Sequence, residues 1–158
     1  MQQIYMETPL GITAIKGDEN GVASVCVIDD ESVVLSKEIP SFLQETATQL
    51  QEYFSGNRTH FSLKLNPQGT DFQKSVWNEL LKIPYGKTCS YRELSQRLGD
   101  VKAIRAVAAA NGKNPLWILV PCHRVIGSDG SLTGYAGGLW RKKWLLEHEN
   151  PLNQTSLF

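Results

Sequence analysis

The feature that most constrains this chain is a change of period at Asn66-Pro67-Gln68-Gly69. Before these four residues, short apolar runs alternate with turn-forming pairs. After them, apolar residues recur three and four positions apart. A side-chain period of two belongs to strands and one near 3.6 to helices. A chain of 158 residues has room for one domain or two small ones. The switch predicts two, residues 1–69 and residues 70–158.

In the first part, "QQIYME", "GITAIKG", "GVASVCVI" and "ESVVLS" read as strands. Turns at Pro9-Leu10-Gly11, Gly17–Asn20 and Asp29-Asp30 separate them. Ser41 with Gln44 has the spacing of a capping box, and Leu43, Ala47, Leu50 and Phe54 form a helical stripe that Gly56 closes. "HFSLKL" predicts one further strand. The expectation is a small antiparallel sheet with one helix, a scaffold without evident chemistry.

In the second part, Thr70 with Gln73 is another capping box, leading a stripe of Phe72, Val76, Trp77, Leu80 and Leu81 that stops at Pro84 and Gly86. Ser90 with Glu93 opens "SYRELSQRL", halted at Gly99-Asp100, and "VKAIRAVAAANGKN" makes a helix ending at Gly112. A last helix starts near Gly138 and carries Leu139, Trp140, Trp144, Leu145 and Leu146. Helix, glycine turn and alanine-rich helix is the order of a helix-turn-helix, although two packed helices with no nucleic-acid role share it. The fold class expected is α+β, with a mostly helical, winged-helix-like second domain.

Charge separates the same way. The formal net charge is zero, but residues 1–70 hold four Lys/Arg against nine acids and residues 71–158 hold twelve against seven. A basic half points to an anionic partner. Lys102 and Arg105 stand among Ala103, Ala106, Ala108, Ala109 and Ala110. Small side chains let a helix backbone come close to a surface, and long basic ones then reach phosphates or bases.

No apolar run approaches the roughly 20 residues of a membrane span, and "MQQIYMETPLG" has no secretory pattern. The expected compartment is the cytoplasm. With no secretory pattern, Cys26, Cys89 and Cys122 predict no disulfide, and without C-x-x-C spacing they predict no zinc or redox site. Cys26, in a strand, is expected to be a small buried hydrophobe.

Cys122 differs. In "WILVPCHRVIG" an apolar run ends at Pro121, and Cys122, His123 and Arg124 follow side by side. The thiolate is the nucleophilic form of cysteine, and an adjacent base or positive charge raises its share. A base usually needs a third group to orient it. Asp129, Glu147 and Glu149 are the candidates, and spacing does not choose among them.

"NPLWILVPCHRVIGSDGSLTGYAGGLWRKKWLLEHE", residues 114–149, resembles the active-site segment of the O6-alkylguanine-DNA alkyltransferases. The resemblance runs upstream through "FQKSVWNELLKIPYGKTCSYRELSQRLGDVKAIRAVAAANGKNP", so it covers about residues 70–150. The "PCHRV" core, the "YAGGL" loop and "KWLLEHE" carry it. It implies a single-turnover repair protein that binds double-stranded DNA through the minor groove, everts an alkylated guanine and moves the alkyl group to its own cysteine. It further implies a monomer with no cofactor. Eversion is needed because the target atom is shielded inside a base pair.

By this resemblance Cys122 is the acceptor, His123 a general base acting through water, and Glu149 the residue that orients His123. Asn114 braces the turn carrying the cysteine, and Tyr91 donates a proton to the leaving base. Tyr135, Ala136 and backbone groups of Trp117, Val120 and the 135–137 loop form the base pocket. Arg105 fills the gap left by the base. Ala103 and Ala106 permit close approach, and Lys102, Lys113 and Arg124 complete the DNA contacts. Ala136 replaces a serine that some members carry, which removes one hydroxyl donor and implies tolerance of bulkier alkyl groups. Asp18 stands where a zinc-binding cysteine falls in some members, so no metal is expected. Two other function classes share part of the pattern. One is a non-enzymatic binder of alkylated DNA, against which the intact Cys122 speaks. The other is a helix-turn-helix regulator with an incidental thiol, for which this helix offers few base-reading side chains.

Overall fold

A computed structural model describes residues 1–30, 32–132, 135 and 137–151. The chain divides into two compact units, 1–68 with 115–119, and 69–114 with 120–158. The second visit of the chain to the first unit is not visible in the periodicity. Among the described residues no helix is long and apolar enough to cross a membrane.

In the first unit, β1 (Gln2–Thr8), β2 (Gly11–Asp18) and β3 (Gly21–Ile28) form an antiparallel meander. Ile4 faces Ile15 across β1 and β2, and Ile15 faces Val25 across β2 and β3. These three are buried, so alternation places one apolar face inward. That face packs on α1 (Ser41–Phe54) through Leu43, Ala47, Leu50 and Tyr53. Gly21, at φ +132°, lies so close to the Lys64 carbonyl that a Cβ there would sit 2.7 Å from its oxygen.

Four expectations are corrected here. "ESVVLS" is not a strand over its described residues. Val34 and Leu35 are exposed, and the segment is tied to β1 by Ser36 N–H to the Tyr5 carbonyl and Tyr5 N–H to Ser36 Oγ. "HFSLKL" contributes only a bridge between Leu65 and Val22. Ser41 is the first helical residue rather than the cap. Pro40 takes the cap position, and the Gln44 side chain donates to the Ile39 carbonyl instead. Cys26 is exposed, because β3 turns Val25 inward and Cys26 to the opposite face.

In the second unit, α2 (Asp71–Leu80) and α3 (Tyr91–Arg97) start at complete capping boxes, Thr70 with Gln73 and Ser90 with Glu93. The two-residue strand β4 (Cys89–Ser90) pairs in parallel with β5 (Val125–Ile126). After α3, Gly99 turns the chain at φ +90°, and Asp100 caps a 3₁₀ turn at Val101–Ala103. Then α4 (Ile104–Gly112) packs Val107, Ala110 and Asn111 inward, with the Trp77 indole N–H donating to the Ala110 carbonyl at 2.9 Å. Lys102, Arg105, Ala106 and Ala109 stay exposed. The last element, α5 (Leu139–Glu149), starts at Gly138. Phe72 and Leu81, expected in the stripe of α2, are exposed, while Val76, Trp77 and Leu80 carry the packing.

Candidate active site

Cys122, in the second unit, sits on a short, tightly hydrogen-bonded turn. Pro121, at φ −81° and ψ 64°, makes a three-residue turn in which Cys122 N–H donates to the Val120 carbonyl at 2.8 Å. Cys122, His123 and Arg124 then form one 3₁₀ turn, all three buried. A side chain braces the turn: Asn114 Nδ2 donates to the same Val120 carbonyl at 2.9 Å.

His123 has no exposed surface. Its Nε2 lies 2.8 Å from Glu149 Oε2, while Nδ1 is buried and hydrogen-bonds no described residue. Glu149 comes from the last turn of α5, which the segment after α2 anchors. The Asn150 side chain donates to the Gly86 carbonyl at 2.9 Å, and the Tyr85 hydroxyl to the His148 carbonyl at 3.4 Å. Of the three acids the sequence left open, the structure brings Glu149 to His123.

The carboxylate is shared. Arg124 Nε donates to Glu149 Oε1 at 2.8 Å and its NH2 group to Oε2 at 3.0 Å, while NH1 donates to the Ile83 carbonyl at 2.7 Å. The guanidinium also lies 5.8 Å from the Tyr85 ring centre. This corrects the expectation that Arg124 contacts DNA: its fork is buried and spent inside the unit, where a planar donor matches a carboxylate in two places. Burial by itself raises the Glu149 carboxyl. The charges and hydrogen bonds of His123 and Arg124 outweigh it and hold the group well below the usual carboxylate range.

Around the sulfur the balance runs the other way. Burial pushes the Cys122 thiol up, and the neighbouring Asn114 side chain and the charge of Lys142 pull it down. Burial is the largest of these effects, and the net direction is upward. The fixed charge next in sequence, Arg124, is turned to Glu149. The cation that bears on the sulfur is Lys142 of α5, fully buried, with Nζ 5.8 Å from the Tyr91 ring centre and 5.9 Å from that of Tyr135. Sequence reasoning missed it, because Arg141-Lys142-Lys143 reads as a solvated charge run. The helix period holds the only signal: Lys142 stands three and four residues before the buried Leu145 and Leu146.

The remaining candidates fall in three places. Arg105, Ala106, Lys102 and Lys113 are exposed on or beside α4, and Ala103 is half-buried at its start. Trp117 belongs to the first unit, where its N–H donates to the Val25 carbonyl at 3.0 Å, leaving that donor already used. Ala136 lies outside the described residues. Among the described residues no group of three His, Cys, Asp or Glu could hold a metal ion.

A buried thiol, an imidazole and a carboxylate on one scaffold can perform nucleophilic displacement, and comparison with known proteins narrows the chemistry. Residues 71–151 match the family model of the 6-O-methylguanine DNA methyltransferase DNA binding domain. The chain belongs to the 6-O-methylguanine DNA methyltransferase family. Residues 1–67 match that family's ribonuclease-like domain. A methylated-DNA–protein-cysteine methyltransferase of Methanosarcina barkeri is 47% identical over 151 residues, spanning 91% of this chain and 94% of the relative. The crystal structure of Mycobacterium tuberculosis O6-methylguanine methyltransferase superposes with a TM-score of 0.84 at 39% identity, covering 95% and 93% of the two chains. The DNA complex of the Mycobacterium tuberculosis protein gives 0.84 at 38% identity, covering 99% and 94%. The expected family and the α+β class with its small sheet and helical region are therefore both shown.

Proposed function

We propose that this chain repairs O6-alkylguanine in duplex DNA by direct reversal, with Cys122 as the alkyl acceptor. The observation that carries the assignment is the buried sequence Cys122, His123, Glu149 in a chain of this family, with His123 Nε2 held at 2.8 Å and Nδ1 left for a proton. His123 takes the thiol proton through a water at Nδ1, and Glu149 stabilises the imidazolium that results. The thiolate attacks the alkyl carbon, so an S–C bond forms as the C–O6 bond breaks. The electron pair leaves with the guanine, and the Tyr91 hydroxyl supplies its proton. The product is a neutral thioether with no leaving group of comparable quality, so each molecule acts once.

Access follows from the exposed face of α4. Ala103 and Ala106 allow close approach in the minor groove, Lys102 and Lys113 meet phosphates, and Arg105 occupies the space of the everted base. Tyr135 and the backbone of Val120 line the space for that base. Residues 70–158 carry the reaction and residues 1–69 serve as scaffold. One chain holds acceptor, base and DNA helix, which supports action as a monomer. Three unpaired cysteines support the cytoplasm.

The test is intact-mass measurement after incubation with duplex DNA containing O6-methylguanine. The expected result is one added methyl group per chain, mapped to Cys122, with no second turnover. DNA binding with unchanged mass would defeat the reading.

A further inference from the structure

We propose that Trp140 and Arg141 form a clip that sets the opening of the base pocket, a pair of positioning residues that serve recognition of the alkylated base and not the displacement at Cys122. The inference rests on the alkyl-transfer reading of Cys122.

The two residues stand side by side in the first turn of α5 and are buried very differently. Trp140 keeps 57% of its surface exposed, while Arg141 keeps 6%. They nevertheless act as one structure. The guanidinium carbon lies 4.4 Å from the Trp140 ring centre, where a ring face attracts a cation. From that position its NH1 group donates to the Gly137 carbonyl at 2.8 Å. A guanidinium is planar and its fork is rigid, so a ring that holds its face also fixes the direction in which NH1 points.

Gly137 is where the clip meets the pocket. A Cβ placed there would lie 3.3 Å from the Tyr135 ring and 3.5 Å from Arg141 Cδ, so the tyrosine and the arginine stem close on this glycine together. A Cβ on Gly138 would lie 3.3 Å from the Trp140 indole. Gly138 N–H also donates to the Tyr135 carbonyl at 2.9 Å. Tyr135, the two glycines, Arg141 and Trp140 therefore make one packed path from the pocket wall to the surface. At its inner end the Tyr135 ring stands 5.9 Å from Lys142 Nζ, whose charge reaches the Cys122 sulfur. Two consecutive glycines, the second at φ +94°, give this stretch a permissive backbone. Such a backbone keeps one shape only when side chains hold it, and the clip supplies that hold at the Gly137 carbonyl.

The test is single-turnover alkylation by free O6-benzylguanine over a range of concentrations, which separates the half-saturating concentration from the limiting rate. Circular dichroism checks folding. Trp140→Ala should raise the half-saturating concentration about fivefold, and Arg141→Met, which also leaves the Gly137 carbonyl without its donor, about tenfold. The limiting rate should stay within about twofold in both, because the reacting groups are untouched. Trp140→Phe keeps a ring face and should restore the wild-type value. The double variant should be no worse than Arg141→Met alone, since both changes break one contact. An unmoved half-saturating concentration overturns the proposal. So does a loss confined to the limiting rate, or effects that multiply in the double variant. Should Arg141→Met not fold, Trp140→Ala against Trp140→Phe decides at an exposed position. Failure of wild type to gain a methyl group from DNA strikes the alkyl-transfer reading itself. A methylated wild type with unmoved half-saturation in the variants strikes this inference alone.

Discussion

The two units bury different kinds of polar group. In the first, the buried polar residues described are Thr8, Thr13, Thr46 and Gln49, all neutral. In the second, they include His123, Arg124, Arg141, Lys142 and Glu149, within 27 positions of one another along the chain. Neutral groups are satisfied locally, as where Gln49 accepts from Ser62 N–H at 2.9 Å and donates to Glu45 at 2.8 Å. Charges cost far more to desolvate, and they persist in an interior only when paired or put to use. Among the described residues the first unit buries only neutral polar groups, whereas the second holds charged ones that its own hydrogen bonds must offset.

The largest test of this contrast is Glu149→Gln. It leaves Arg124 buried beside a neutral group, and the expected loss is about 3–5 kcal/mol in denaturant unfolding at neutral pH. The Glu149 carboxyl is depressed in the folded state, so its contribution is fully present above the ordinary value of 4.5 and is lost as pH falls below it. Wild type should therefore weaken in acid, and Glu149→Gln should show a flatter acid limb. A variant as stable as wild type would end the claim that the network is costly to break. Next in size is Gln49→Leu, which strands the Ser62 N–H in the first unit. A loss of about 1–2 kcal/mol is expected from the denaturant midpoint, smaller because no charge is left behind. A loss equal to that of Glu149→Gln would erase the distinction between units. Smallest is Arg105→Ala on the exposed face of α4, with stability unchanged within about 0.5 kcal/mol. Its effect is functional: repair of duplex DNA should slow by much more than reaction with free alkylguanine. Equal slowing on both substrates would remove Arg105 from base eversion.

Local signals were legible where a helix end decides itself. Thr70 with Gln73 and Ser90 with Glu93 satisfy orphan backbone groups within four residues, and both form. Ser41 with Gln44 has the same spacing and fails, because Pro40 already provides the cap backbone angle and moves Ser41 one place into the helix. "ESVVLS" has strand composition, but a strand exists only where a partner offers a ladder, and β1 gives this segment little beyond Ser36. In the site, Cys122 and His123 were visible because their chemistry is written in adjacent letters. Arg124 was visible and misassigned, because sequence does not say which way a guanidinium points. Lys142 was invisible, since a lysine in a basic run is ordinarily a solvated one.

Glu149 has one further consequence for how the protein is made. Its carboxylate reaches back 26 residues to His123 and 25 to Arg124. A nascent chain that has already emerged past Arg124 holds both partners of this carboxylate but not the carboxylate. The buried network closes only when the last helix docks, so its two partners wait on the C-terminal end of the chain.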